Sequence, residues 1–490
     1  MTARQPLGPP AYDATALASR IAGQWDSDIV AQLVAYVRIP AKSPHFDPQW
    51  REHGHIEAAI QQAHAWVKRQ AVDGMTLEVI RLEGRTPVLF FDIPAHGNPA
   101  TQKSIVLYGH LDKQPEMTGW RAGLGPWTPV IEDGRLYGRG GADDGYAVFA
   151  ALGAITALDA QGIARPRCVG LIETCEESGS YDLPPYLDAL AARMGDVGLV
   201  IALDSGAGNY EQLWVTTSLR GLVNGTLRVD ILTEGVHSGD AGGVVPSSFR
   251  IARQILDRLD DSRTGVVKPA AFACEIPAER LAQAKHAAEI LGDTMWKRFP
   301  WAGCCDDQGS ARLFAEPVSK DPVELILNRT WRAALAVTGA DGLPPIESAG
   351  NVQLPYTSLK LSLRLPPLVD GARAAQAMKS LLESDPPYSA SVDFKGSGSS
   401  GWNAPGTAPW LAQALDDASG TLFGKPAAYM GEGGTIPFMS MLNAKFPTAQ
   451  ILVTGVLGPE SNAHGPNEFI DIAYAKKVTA ATAMVIAAMP

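Results

Sequence analysis

Four stretches of the chain are apolar in continuous runs: SIVLYGHLD (104–112), CVGLIETCEESGS (168–180), GLVIALDSG (198–206) and QILVTGV (450–456). Short runs rich in Val, Ile and Leu, without polar alternation, predict strands covered on both faces. Between them, 144–160 (DGYAVFAALGAITALDA) reads as a helix, with Asp143 and Asp144 placed to cap its start and Gly162 just past its end. Strands alternating with helices predict an α/β layer around a largely parallel sheet.

From about 213 to 400 the period changes. The segments 222–232 (LVNGTLRVDIL) and 357–365 (TSLKLSLRL) alternate, as a sheet with one wet face requires. Helices are expected after each, at 246–261 with Pro246 in the first turn, and at 370–383. This predicts a smaller α+β domain inserted into the first, with 395–406 (KGSGSSGWNAPG) as a hinge back. The expected division is 1–213 (1–50 an N-terminal extension), 214–400, and 401–490.

Three of the predicted parallel strands end in acids or histidine: His110 and Asp112, Glu176 and Glu177, and Asp204. Ligands of open α/β sheets gather beyond the carboxyl ends of the strands. Each motif also has a plain reading. His110-x-Asp112 would serve as a surface polar pair, Asp143 and Asp144 as helix caps, and Glu176-Glu177 as a solvated acidic turn. Adjacent carboxylates after a buried run nevertheless repel each other unless a cation or proton relieves them. His464 lies in a loop rich in Gly, Pro and Asn (SNAHGPNE) after the last apolar run. Two imidazoles with several carboxylates and no thiolate suit zinc, manganese or cobalt, and the surplus of acids suggests two ions sharing a bridge.

Composition narrows the field. The formal net charge of −11, without a basic stripe, argues against nucleic acid. The 46% hydrophobic and 19% charged residues are those of an ordinary globular protein. Five cysteines, including the neighbours Cys304 and Cys305, are too few and too irregular for a disulfide framework. No secretory signal and no membrane span is expected, which points to the cytoplasm.

The ordered motifs YGHLD, LYGRGGADDG, ETCEESGS, ALDSG, HSGDAGG, LSLRLPP, GEGGTIP and SNAHGPNE resemble the M20 metallopeptidase family, nearest its carnosinase-like (cytosolic non-specific dipeptidase) branch. The likeness runs from about residue 60 to the end. It implies a zinc-exopeptidase-like catalytic domain with helices on both faces of its sheet, and an inserted ferredoxin-like domain serving as lid and dimerisation surface. It implies that His110, Asp143 and Asp204 hold one divalent ion, zinc first among candidates. Asp143, Glu177 and His464 would hold a second, with Asp143 bridging. Glu176 corresponds to the general base acting on a metal-activated water, and Asp112 to the carboxylate that supports His110. The Asp143–Asp144 bond corresponds to one that is cis in the family.

His237 corresponds to a lid histidine that reaches the partner subunit's active site and steadies the oxyanion. Arg364 corresponds to the group gripping the substrate's terminal carboxylate, helped by the loop Gly433, Gly434 and Thr435. Three positions depart from the family pattern: Gly145-Tyr146 replaces Lys-Gly, Lys113 replaces a small apolar residue, and Thr435 replaces a serine. The expected function is hydrolysis of the amide bond in dipeptides or small peptides with a free C-terminal carboxylate, by a homodimer. A deacylase of N-acyl amino acids on the same scaffold, or a catalytically silent peptide-binding protein, are the alternatives.

Overall fold

A computed structural model describes residues 12–305, 311–313 and 315–490; the first eleven residues and the side chains of Cys304 and Cys305 lie outside the described residues. The described residues divide into two compact units, one made of those up to 216 with 404–430 and 441–490, the other of those within 217–403 with 431–440.

The first unit is built on a six-stranded sheet in the spatial order Thr76–Ile80, Val88–Ile93, Cys168–Glu173, Ser104–His110, Val197–Ala202, Gln450–Val453. The last four run parallel, and the first two join antiparallel. Every residue of Ser104–His110, Cys168–Glu173 and Val197–Ala202 is buried, which accounts for their unbroken apolar sequence. The helix Tyr146–Ala160 is apolar nearly all round and is buried among Ala14–Gln24, His55–Arg69 and Ile472–Ala487. Segments near the N-terminus are therefore part of this core, with Leu17, Ile21, Trp25 and Leu33 fully buried.

Three local expectations change. Asp143 and Asp144 do not cap the helix: the residue before it is Gly145, which makes no side-chain cap bond. Both aspartates are buried and are turned to other partners. Gly145 itself meets the N-terminal segment so closely that a Cβ there would lie 2.0 Å from the ring of Tyr36. The second helix of the other unit is shorter than 246–261, spanning Ser248–Leu256, because Ser247 accepts from the Arg250 N–H and starts it two residues past Pro246.

The second unit carries a four-stranded antiparallel sheet ordered Ala334–Asp341, Tyr356–Leu365, Gly221–Asp230, Ser391–Ser399. Alternate residues of Gly221–Asp230 and Tyr356–Leu365 enter a core formed with the helices Ser248–Leu256 and Gly371–Glu383. In chain order this is βαββαβ, the ferredoxin-like arrangement. The chain returns to the first unit between 403 and 404, inside the expected hinge at 395–406, but 395–399 form the end of an edge strand paired with Gly221–Asp230. Gly225 and Gly396 leave room there for the Phe394 ring, so packing overrides a sequence that reads as loop. Among the described residues no helix is long and apolar enough to cross a membrane.

Candidate functional site

Because Cys168–Glu173, Ser104–His110 and Val197–Ala202 are parallel neighbours, their carboxyl ends line one edge of the sheet. His110 ends its strand with Asp112 two residues on. Glu176 and Glu177 open a short turn, Glu176–Ser178, just after theirs. Asp204 stands two residues past Ala202. Loops deliver the remaining two groups: Asp143, joined to Asp144 by a cis peptide bond, and His464, whose φ of 66° is left-handed.

These side chains converge. His110 Nε2 lies 3.3 Å from Asp143 Oδ1 and 3.7 Å from Asp204 Oδ2. His464 Nε2 lies 3.0 Å from Asp143 Oδ2 and 3.4 Å from Glu177 Oε2. Asp143 thus presents one oxygen to each histidine. Within each triad, His110–Asp143–Asp204 and Asp143–Glu177–His464, the donor atoms all lie within 4.8 Å of one another. Glu176 is buried beside them, with Oε2 3.9 Å from His110 Nε2.

So many carboxylates in one buried place strain their own ionisation. Burial and then the charge of Asp143 raise Asp204 to about 7 and Glu177 to about 8. Burial and then Asp204 push both Glu176 and Asp144 well above the usual carboxylate range. Burial acts the same way on Asp143, but the imidazoles of His110 and His464, 3.3 and 3.0 Å away, overcome it and hold that group low. Burial opposes charge on His464, yet Glu177 and Asp143 raise it to about 9. Among the described residues, His110 Nε2 and Glu177 Oε1 are buried with no hydrogen-bond partner, a costly condition for polar atoms. A divalent cation in each triad would supply both missing partners and the missing positive charge, and the imidazole and carboxylate donors fit one.

The surrounding residues fix these groups. His110 Nδ1 meets the backbone carbonyl of Asp112 at 3.0 Å, with the Asp112 carboxylate at 3.5 Å. That carboxylate accepts from the backbone N–H groups of Glu176 and Glu177 at 3.1 and 3.0 Å, so one side chain orients three others. Gln114 donates to Glu177 Oε2 at 2.6 Å. The loop of His464 is held by a buried ion pair, Arg139 with Glu468. Arg139 also donates to the carbonyls of His464 and Gly465 at 3.0 and 2.8 Å, and Glu468 accepts from the Gly140 N–H at 2.8 Å.

The three departures from the family pattern also have positions. Lys113 is fully buried and does not enter the ligand set; its ammonium donates to the carbonyls of Tyr36 and Ile39 at 2.8 Å and lies over the Tyr36 ring. Tyr146 donates its hydroxyl to the carbonyl of Leu203, one residue before Asp204. The third departure, Thr435, lies in the second unit. There its hydroxyl donates to the Arg220 carbonyl at 2.7 Å and accepts from Arg364 at 3.1 Å.

Arg364 is half-buried and makes no ion pair among the described residues. Arg220 donates to the Gly433 carbonyl at 3.1 Å. A Cβ at Gly433 would stand 3.1 Å from the Arg329 carbonyl, whereas Gly434 has open space. His237 is exposed in the short strand Val236–His237, its Nδ1 accepting from the Gly239 N–H at 3.0 Å. Sequence reasoning passed over Arg139, Glu468, Gln114, Tyr36 and Arg220. Arg139 and Arg220 carry a faint signal, a lone charge beside apolar or glycine neighbours; the rest carry none.

Residues 106–488 match peptidase family M20/M25/M40. The chain is 27% identical over 443 residues to the cysteinylglycine-S-conjugate dipeptidase of Corynebacterium striatum, covering 88% of this chain and 89% of that protein. It is 25% identical over 418 residues to the human Beta-Ala-His dipeptidase, with 82% and 76% covered. The structure of the di-peptidase Dug1p from Saccharomyces cerevisiae superposes with a TM-score of 0.75 at 20% identity, covering 98% of this chain and 99% of that one. The family match spans more than three quarters of the sequence and includes every residue of both triads: this chain belongs to peptidase family M20/M25/M40.

Proposed function

We propose that this protein is a two-metal dipeptidase that cleaves the amide bond of dipeptides and small peptides bearing a free C-terminal carboxylate. The observation that carries this reading is the pair of triads sharing Asp143, with Glu176 buried beside them. His110, Asp143 and Asp204 would hold one divalent ion, and Asp143, Glu177 and His464 the other, with zinc favoured by the nitrogen and oxygen donors. Such ions, when bound, polarise a carbonyl and acidify water.

Glu176 accepts a proton from the attacking water and passes it to the nitrogen of the departing amine. Its raised affinity for protons, caused by burial and by Asp204, suits a group that must hold one between the two steps. Asp112 positions Glu176 through the backbone. Arg364 and Thr435 take the substrate's terminal carboxylate, because a planar guanidinium without an acid partner matches a carboxylate in two bonds. His237 steadies the developing oxyanion of a partner subunit's site, so the working form is a homodimer made through the inserted domain, which acts as a lid. The cytoplasm is the location this reading favours, supported by the unbridged buried thiols of Cys168 and Cys175.

The test is metal analysis joined to a dipeptide digest. Protein dialysed against zinc should hold two ions per chain and release free amino acids from unblocked dipeptides. Activity confined to N-acetyl or N-succinyl amino acids would instead make the enzyme a deacylase, and binding without turnover in either panel would make it a peptide-binding protein.

A further inference from the structure

The second unit contains a cleft of about 560 Å³ whose walls are almost wholly apolar, formed by Trp296, Phe299, Trp301, Val318 and Leu325 among others. Phe299 and Val318 are 50% and 81% exposed, an unusual display of apolar surface for a polar rim to leave uncovered. Beside Arg329, which pairs with Glu432, one further ionic group lines the cleft, Arg220. Its guanidinium donates to the carbonyls of Gly433, Asn328 and Arg332, and no carboxylate pairs with it among the described residues.

Two features tie this cleft to Arg364. Arg220 and Arg364 hold the same short loop: Arg220 reaches the Gly433 carbonyl, and the Thr435 hydroxyl bridges Arg364 to the Arg220 carbonyl. The cleft wall also includes Ala334, which stands opposite Arg364 in the antiparallel register. Directly opposed residues project from the same face of a sheet. The other face of that strand sends Leu361, Leu363 and Leu365 into the core. Arg364 and the cleft therefore share one sheet face.

We infer that the cleft receives the side chain of the substrate residue that carries the free carboxylate, and that this side chain is large and apolar, aromatic by preference. The inference rests on the reading of Arg364 as the carboxylate clamp. A carboxylate at Arg364 and Thr435 leaves its own Cα substituent next to the cleft. Trp296, Phe299 and Trp301 offer flat apolar faces to a ring, and among the described residues nothing acidic lines the wall to favour a basic side chain.

The test compares kcat/KM of the zinc-loaded enzyme for Gly-Gly, Gly-Leu, Gly-Phe, Gly-Trp, Gly-Glu and Phe-Gly. A rise of tenfold or more from Gly-Gly to Gly-Phe is expected, with no such gain for Gly-Glu or Phe-Gly. Ala334→Trp, which fills the cleft, should cut the Gly-Phe to Gly-Gly ratio at least tenfold. Val318→Glu, at a position exposed enough to spare folding, should cut it in the same direction. A flat series, or ratios that neither substitution moves, overturns the inference.

Binding separates this outcome from failure of the hydrolase reading. Metal-loaded Glu176→Ala protein titrated with N-acetyl-phenylalanine and N-acetyl-glycine should bind the former at least tenfold more tightly, and Ala334→Trp should abolish the difference. Preferential binding without turnover of any dipeptide by the unaltered enzyme would support the cleft while overturning dipeptide hydrolysis. Equal binding of the two ligands overturns the cleft whatever the enzyme hydrolyses.

Discussion

At the scale of single residues, the site divides labour among carboxylates that sequence alone makes nearly equivalent. Glu176 and Glu177 are neighbours, yet only Glu177 lies in a triad with His464 and Asp143, while Glu176 stands beside them. Glu176→Ala should accordingly lower kcat by about 10²–10⁴-fold, the usual contribution of a proton-transferring group. Metal content should stay near two ions per chain. Loss of an ion in that variant, seen by elemental analysis, would exchange the roles of the two glutamates.

The titration of these residues has a definite sign. In the metal-free protein, Asp204 and Glu177 have folded values of about 7 and 8, above the roughly 4 of an unfolded carboxyl. They must ionise at a cost as pH climbs through that interval. His464, raised to about 9, loses its favourable charge over a higher interval, beginning at the unfolded value of roughly 6.5. Both effects make metal-free stability fall between about pH 6 and 9, whereas Asp143, held low, acts oppositely only under acid conditions. Metal-free protein should melt at a lower temperature at pH 8.5 than at pH 6, and Asp204→Asn should flatten that slope. Zinc should stabilise more at the higher pH, because its ligands must be deprotonated. A melting temperature that rises with pH in the metal-free protein would contradict the charge balance described here.

At the scale of elements, the strand ends were readable because burial on both faces imposes a continuous apolar run, and the polar residue that breaks the run marks the sheet edge. His110, Asp112, Glu176 and Asp204 could be singled out on that ground. The convergence of Asp143 and His464 could not, since it depends on loops fixed by Arg139 and Glu468, which are 329 residues apart in sequence. The N-terminal segment was equally silent. Yet Ser43 meets the Ser178 hydroxyl at 2.5 Å and the His45 N–H donates to Ser178 at 2.9 Å, buttressing the turn that carries the paired glutamates. Tyr36 bonds the Leu111 carbonyl at 3.0 Å, between His110 and Asp112.

Removing one partner of a buried ion pair strands the other, at about 3–5 kcal/mol. Arg139→Leu should therefore lower stability by that order in chemical denaturation, and should weaken zinc at the Asp143–Glu177–His464 triad more than at its neighbour. Equal weakening of both ions would remove Arg139 from the support of the His464 loop.

At the scale of the whole molecule, the proposed function divides chemistry and recognition between the first unit and the second. The ferredoxin-like unit was legible through its period-two strands Gly221–Asp230 and Tyr356–Leu365. Its edge strand Ser391–Ser399 was hidden by glycines and serines that serve Phe394's packing. Arg364→Ala should raise KM for free dipeptides and leave amidated ones nearly unaffected; equal losses would dissociate Arg364 from the carboxylate. Because His237 is read as serving a partner, mixtures of inactive His237→Ala and inactive Glu176→Ala proteins should regain activity after subunit exchange. Absence of rescue, with exchange demonstrated by mass spectrometry, would return His237 to its own subunit.

The most direct measurement is anomalous diffraction at the zinc edge from crystals grown with zinc. Two peaks per chain are expected, one among His110, Asp143 and Asp204 and one among Asp143, Glu177 and His464, with Asp143 contacting both. A single peak, or peaks that bypass Asp143, would contradict the two-metal site.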